Sequence, residues 1–314
     1  MPTRLASDVF DGFHSQPIEY TPPDKAYIAC NPSIHYDGRT WRCIVRCINY
    51  RLGGHIPEEP NTQNVMLQLG FMNGGRSTSQ LPCSLLATVI ADDTGQPKSG
   101  YPISGFEDCR LFQWKGRMWA IATSCHLTKQ GNREICLLEL DALHGFISCT
   151  PIRGPWSAFY QKNWIPYVTA DDQLRFIYSL DRSIVIDWSL AGAPNTFAYE
   201  CGDFRPNEKI DWRAVGNHRG SSCALQLPSG QLIVLAHTEG YQSRFMLLGG
   251  DDLRPTHQTE LFHFRERTVE FAAGMALDLH GGPRLVVSYS VRDATVELGM
   301  FPLESVMQKM ERIA

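Results

Sequence analysis

The stretch Phe106-Glu107-Asp108-Cys109-Arg110 sets two adjacent carboxylates and a guanidinium at the head of a strand-like run, Leu111-Phe112-Gln113-Trp114. On its own, an acid-acid-x-base cluster reads as a solvated turn. Inside a repeat that gathers several such clusters, it becomes a candidate for holding a bound ligand. On a strand, alternate side chains point to opposite faces. Glu107 and Arg110 are therefore expected to face apart, and Asp108 to share a face with Arg110.

The elements that must position these groups recur. Each unit opens with a polar signature, continues as a short apolar strand, turns at Gly or Asp, and ends in a β-rich apolar strand. The openings are Cys30-Asn31-Pro32, Glu107-Asp108-Cys109-Arg110, Gln161-Lys162-Asn163, Arg219-Gly220-Ser221 and Glu270-Phe271-Ala272. The turns fall at positions 38, 116, 172, 230 and 282, so successive gaps are 78, 56, 58 and 52 residues. A period of that size with several strands per unit predicts an all-β fold, a five-bladed β-propeller forming a single domain over residues 1–314. The first gap is longer by about twenty residues, which assigns Gly53 to Ser84 to a loop or extra hairpin. Leu303, Val306, Met307, Met310 and Ile313 follow helical spacing, predicting a short amphipathic C-terminal helix over 303–314. That helix packs on the propeller's side or on a partner subunit. It and the loop after Arg51 are the surfaces left for a homo-oligomer contact.

In a propeller the innermost strands line a central channel, so these openings converge on one funnel. They bring Asn31, Asp108, Arg110, Lys162, Arg219 and Glu270 together, and buried charges need partners. A ligand pocket and a structural network of ion pairs both fit that convergence.

Composition narrows the classes. The 314 residues are 43% hydrophobic and rich in Trp, Phe and Tyr, which suits packed β-structure. A net charge of -4 without a basic stripe argues against a nucleic-acid partner. The N-terminal residues lack an apolar signal core, and no run approaches the length of a transmembrane helix, so a cytoplasmic location and no membrane partner are expected. None of the ten cysteines forms a C-x-x-C pair, and Cys43, Cys125 and Cys136 sit inside apolar strands, as buried reduced thiols do. No HExxH, Cys/His cluster, phosphate-binding loop or Gly-x-Ser-x-Gly elbow occurs, so neither a metal nor another cofactor is expected.

The ordered motifs resemble glycoside hydrolase family 130, five-bladed propellers comprising β-mannoside phosphorylases and mannosidases, together with the related propeller β-1,2-mannosyltransferases. The resemblance runs from about Tyr27 to Leu303. The family's Asn-Pro and following Arg match Asn31-Pro32 and Arg46. Its Glu-Asp-Pro-Arg, whose Asp is the catalytic acid, matches Glu107-Asp108-Cys109-Arg110, with Cys109 in place of Pro. Its phosphate-binding Arg, Lys and His match Arg133, Lys162 and His237, with Tyr241 and Arg244 as further phosphate contacts. A sugar-binding Asp of the last blade matches Asp293. The resemblance thus implies Asp108 as the catalytic acid, and Asn31, Arg46, Glu107, Arg110 and Asp293 as sugar contacts. Glu270 has no counterpart.

The implied reaction is inverting phosphorolysis of β-mannosides, with inorganic phosphate as co-substrate and mannose 1-phosphate as product. Phosphate is the nucleophile, so one acid suffices where a hydrolase needs an acid and a base. Asp108 is expected to carry a raised pKa through its neighbour Glu107. Taken singly, His237 also reads as a core histidine, Lys162 as a snorkelling surface lysine, and Arg133 as a turn-edge partner of Glu134. A nucleotide-sugar-dependent mannosyltransferase and a glycan-binding propeller without turnover stay open.

Overall fold

The computed structural model describes residues 3–22, 24–50, 57, 60–72, 75–80, 105–125, 133–141, 145–152, 162–181, 184–188, 197–200, 217–249 and 253–313. The chain is mostly β. All five expected turns are present, and each has a left-handed residue where the spacing put it: Gly38, Gly116, Asp172, Gly230 and Gly282, with φ of 90, 72, 64, 83 and 116°. That conformation suits only Gly and, at lower frequency, Asn or Asp.

Around these turns the described strands form five antiparallel sheets. From the inside outward, the first holds Ile28–Tyr36, Trp41–Ile48, Thr62–Met72 and Gly75–Gln80. The second holds Phe106–Trp114, Arg117–Ser124, Glu134–Asp141 and Gly145–Ile152. The third holds Ile165–Val168, Leu174–Ser179, Ile184–Trp188 and Phe197–Glu200. The fourth is built on Leu232–His237, flanked inside by Arg219–Gly220 and Leu225–Gln226 and outside by Ser243–Gly249 and Arg254–Gln258. The fifth runs Glu270–Asp278, Arg284–Val291, Thr295–Pro302, and is finished by His14–Pro17 from the other end of the chain.

Apolar residues run almost unbroken along the middle strands because both faces are buried. Their alternation divides each strand between two neighbours. Ile44 packs with Leu111 and Ala120 between the first and second sheets, while Cys43 and Val45 pack with Val286 and Leu298 toward the fifth. Trp119 and Ile121 meet Trp164 and Phe176 of the third. Val234 meets Ile177 and Val185, and Ile233 and Leu235 meet Leu285 and Val287. Five apolar clusters therefore lie one between each consecutive pair of sheets, the fifth and the first included.

Two expectations are corrected. Within Gly53 to Ser84 the hairpin alternative holds, but the hairpin is not extra: Thr62–Met72 and Gly75–Gln80 pair with each other and are the outer strands of the first sheet. The C-terminal helix covers only Leu303–Gln308. Beyond it Glu311–Arg312 pairs with Arg254–Gln258, so backbone hydrogen bonding along a sheet edge wins over the helical spacing of Met310 and Ile313. Gln161, which opens the third signature, lies outside the described residues.

Candidate active site

In an antiparallel sheet, the start of the first strand, the end of the second and the start of the third share one end. The polar signatures occupy those positions. Asn31, Asp108, Lys162 and Asn163 stand at or just before the inner strands, Arg46 and His237 toward the ends of second strands, and Arg133 before a third. Asp293 lies in the turn after Arg284–Val291. All of them, with Glu107 and Tyr241, line one cavity of about 380 Å³, within the range of small-ligand sites.

Local backbone geometry aims them there. The inner strands are bulged between Cys30 and Ser33 and between Glu107 and Arg110. Asn31, Asp108 and Asn163 adopt φ of 43, 54 and 62°. Tyr241, Arg292 and Asp293, also on the cavity wall, are left-handed as well. Asn and Asp accept that conformation more readily than other side chains, and backbone strain of this kind concentrates at ligand sites.

The bulge corrects the expected alternation at the acidic motif. Glu107 and Asp108 both turn to Arg46, whereas Arg110 turns away from the cavity and is fully buried. Arg110 donates through Nε to the Ser221 carbonyl (2.8 Å) and through Nη2 to the Gly220 carbonyl (3.1 Å) and Asn163 Oδ1 (3.0 Å). It is a brace between sheets, so the sugar-binding role expected for it does not fit. Arg244 is corrected too. It pairs opposite Ala236 and donates to Gln258, off the cavity wall, because its strand position alternates away from His237. Glu270 is buried off the cavity wall and accepts from the backbone N–H groups of Phe264, Arg265 and Glu266.

Arg46 is the hub of the acidic wall. Its Nη1 donates to Asp108 Oδ1 at 2.6 Å and its Nη2 to Glu107 Oε1 at 3.0 Å. Tyr50 hydroxyl donates to Glu107 Oε1 at 3.2 Å, and Asn31 Nδ2 to Asp108 Oδ1 at 2.8 Å. Burial alone would raise the Asp108 pKa. Arg46, then Lys162, the Asn31 hydrogen bond and Arg110 outweigh it and lower the value to about 2. The raised value expected from Glu107 is thus overturned, because Arg46 stands between the two carboxylates. Asp293 keeps a raised pKa, from burial with Asp108 and Glu107 nearby, against the pull of Arg46.

The same cavity is lined by cations: Arg133 of the second sheet, Lys162 of the third and Arg219 of the fourth, together with His237. His237 is buried and its Nδ1 lies 2.8 Å from Ser221 Oγ. Burial, followed by Arg110 and Arg219, lowers its pKa to about 3, so the ring is neutral at pH 7. Tyr241 stacks parallel on that ring and Phe271 meets it edge-on.

Sequence reasoning missed Tyr50, Phe271 and Arg292 on the wall and Ser221 behind it. Tyr50 was readable, since Arg46, Ile48 and Tyr50 continue a period of two past the strand end. Arg292 sits in a turn whose direction no periodicity gives. Among the described residues, no group of three His, Cys, Asp or Glu side chains is arranged to hold a metal, and no helix is long and apolar enough to cross a membrane.

No protein-family model and no curated protein matches the sequence. Solved structures do. A structure from the GH130 family of mannoside phosphorylases, described as containing glycoside hydrolases that target β-1,2 mannosidic linkages in Candida mannan, superposes with a TM-score of 0.63 at 11% identity, over 96% of this chain and 97% of that one. The β-1,2-mannobiose phosphorylase of Listeria innocua, solved with β-1,2-mannobiose, gives 0.60 at 12% identity over 98% of both chains. A GDP-Man-dependent mannosyltransferase of Leishmania mexicana gives 0.50 at 11% identity over 92% and 90%. The sheets and the apolar layers between them thus form a GH130-like fold.

Proposed function

We propose that the five sheets are the blades of one propeller and that its cavity is the active site of an inverting glycoside phosphorylase. The substrates are β-mannosides, β-1,2-linked manno-oligosaccharides or similar, and the product is mannose 1-phosphate. One observation carries this reading: Asp108 and the set Arg133, Lys162 and His237 line the same cavity. A carboxylate acid with a separate cationic cradle suits phosphate as nucleophile. A hydrolase needs a carboxylate base where those cations stand.

In this mechanism Asn31 and Asp293 hold sugar hydroxyls, and Arg46 fixes the Asp108 carboxyl. Phosphate binds Arg133 and Lys162 as a charge-assisted ligand and accepts from the His237 N–H. A phosphate oxygen attacks the anomeric carbon as the glycosidic bond breaks. The leaving oxygen takes a proton from Asp108 through an intervening sugar hydroxyl. Asp108 is ionised in the free cavity, held so by Arg46 and then Lys162. Phosphate neutralises Lys162, which moves Asp108 toward the protonated form the step requires. In the synthetic direction the ionised carboxylate is already the base.

That ionised state also suits the second reading, a nucleotide-sugar mannosyltransferase, and Arg219 and Arg292 add cations for a second phosphate group. Incubation with β-1,2-mannobiose and inorganic phosphate, against mannose acceptors and GDP-mannose, separates the two. Mannose 1-phosphate release supports the phosphorylase, and GDP release the transferase. Asp108→Asn is expected to lower turnover about 10²–10⁴-fold, the ordinary worth of a general acid. Sugar binding without product from either mixture identifies a glycan-binding propeller and defeats both enzymatic readings.

A further inference from the structure

The acidic motif leaves one residue unused by this chemistry. Arg110 is a fully buried guanidinium with three acceptors, Asn163 Oδ1 and the carbonyls of Gly220 and Ser221. Those two residues immediately precede Ser222, and Gly220 stands opposite Ala236, one residue before His237. Ser221 N donates to the Leu235 carbonyl at 3.0 Å, which completes the hold on this short segment. Its Oγ faces His237 Nδ1 at 2.8 Å, and both residues are buried.

We propose that Arg110 and Ser221 are positioning residues that set the tautomer of His237, presenting Nε2–H to the anion in the cavity. A neutral imidazole carries one proton, and the hydrogen bond made by one ring nitrogen decides which nitrogen holds it. If Nδ1 carried the proton, the Ser221 hydroxyl would accept, and its own proton would have no partner in a buried site. An unmet buried donor is costly, whereas a spare hydroxyl lone pair costs little. Ser221 therefore donates to Nδ1, and the remaining proton sits on Nε2. The unprotonated oxygens of phosphate accept, so this tautomer lets the ring donate to one of them.

Arg110 acts twice. It pins the Gly220 and Ser221 carbonyls, which aims Oγ. Its charge, with those of Arg219 and Lys162, disfavours a second proton on the ring, while the Asp108 carboxylate works the other way. Tyr241 and Phe271 close the ring's remaining sides. Gly220 supports the same geometry: a Cβ there would fall 2.5 Å from the Asn163 carbonyl oxygen and 2.3 Å from an Ile165 side-chain carbon. The strand must pass that close for Arg110 to bridge Asn163 and Gly220.

The tautomer itself needs no substrate, while its use in anion binding rests on the phosphorylase reading. Nitrogen-15 NMR of the histidine-labelled protein, alone and with inorganic phosphate, tests both. In the wild type at pH 7, His237 is expected neutral with Nδ1 unprotonated. Ser221→Ala is expected to lose that preference and to weaken phosphate binding about tenfold, with near-normal melting. Arg110→Lys, which keeps the charge and loses the fork, is expected to weaken the preference as well. A wild-type ring protonated on Nδ1, a charged ring at pH 7, or an unchanged tautomer in Ser221→Ala overturns the proposal. A tautomer that changes while phosphate binding does not supports the positioning role and overturns the phosphate reading of His237.

Discussion

At the scale of single residues, the cavity depends on Arg46. Two carboxylates, Glu107 and Asp108, share this guanidinium in a buried place, and Asp293 feels the same charge. Removing one partner of a buried ion pair costs about 3–5 kcal/mol, because the charge left behind is uncompensated. Arg46→Leu is thus expected to destabilise the fold by that order in urea denaturation, and to raise the pKa of Asp108. A variant within about 1 kcal/mol of wild type would mean that water already screens the cluster. The pH dependence has a definite sign. His237 has a folded pKa of about 3, below the ordinary 6.5 of a histidine side chain, so the neutral ring favours the fold above pH 6.5. That contribution is lost as the pH falls from 6.5 toward 3. Asp108, lowered from 3.8 to about 2, loses its contribution only below pH 3.8. Stability measured between pH 6.5 and 4 should therefore fall less steeply in His237→Gln than in wild type. Parallel curves would show that the histidine is not held neutral by the fold.

At the scale of elements, the inner strands must approach one another closely for their signatures to meet. Gly274, in the strand Glu270–Asp278, shows how closely. A Cβ there would lie 2.2 Å from the backbone nitrogen of Ile34, 2.6 Å from Ser288 Oγ and 2.8 Å from the Cα of Ser33. Two of these are backbone atoms that cannot swing aside. Gly274→Ala is expected to cost at least about 3 kcal/mol, the upper range of overpacking, read as a lower melting temperature. Melting within a degree or two of wild type would mean that the first and fifth sheets can separate without loss. The same closeness explains what was legible in the sequence. The β class, the recurrence and all five turns could be read, because they rest on local signals: apolar runs, and Gly or Asp where φ is positive. The gathering of Asn31, Asp108, Lys162 and His237 followed from that recurrence together with the resemblance to a known family. The orientation of Arg110 could not be read. A one-residue bulge reverses every later side chain, and alternation counted through Glu107-Asp108-Cys109-Arg110 takes no account of it. The edge strand Glu311–Arg312 was hidden for another reason, since its pairing partner lies more than fifty residues away in sequence.

At the scale of the whole molecule, the N-terminal segment completes two sheets built from residues far along the chain. His14–Pro17 is the outermost strand of the fifth sheet, antiparallel to Thr295–Pro302, and Arg4–Leu5 runs parallel to Phe262–His263 beside the fourth. Between them Phe10 is driven into an aromatic cluster, with ring centroids 5.0 Å from Phe262, 5.3 Å from Phe301 and 5.8 Å from Phe245. These rings belong to the layer between the fourth and fifth sheets, which also backs the strand carrying His237. Phe10→Ala is expected to cost about 3–5 kcal/mol, as for other buried aromatics. Removing residues 3–17 takes away that ring and both strand pairings. It also leaves Thr295–Pro302 as a bare apolar edge, which invites association between chains. The truncated protein is expected to lose its cooperative thermal transition and to elute as aggregates, although no residue of the cavity wall has been touched. A truncated protein that stays monodisperse and melts within a few degrees of the full chain would show that the sheets are held by their apolar layers alone. The N-terminal strands would then be an edge cover rather than a clasp.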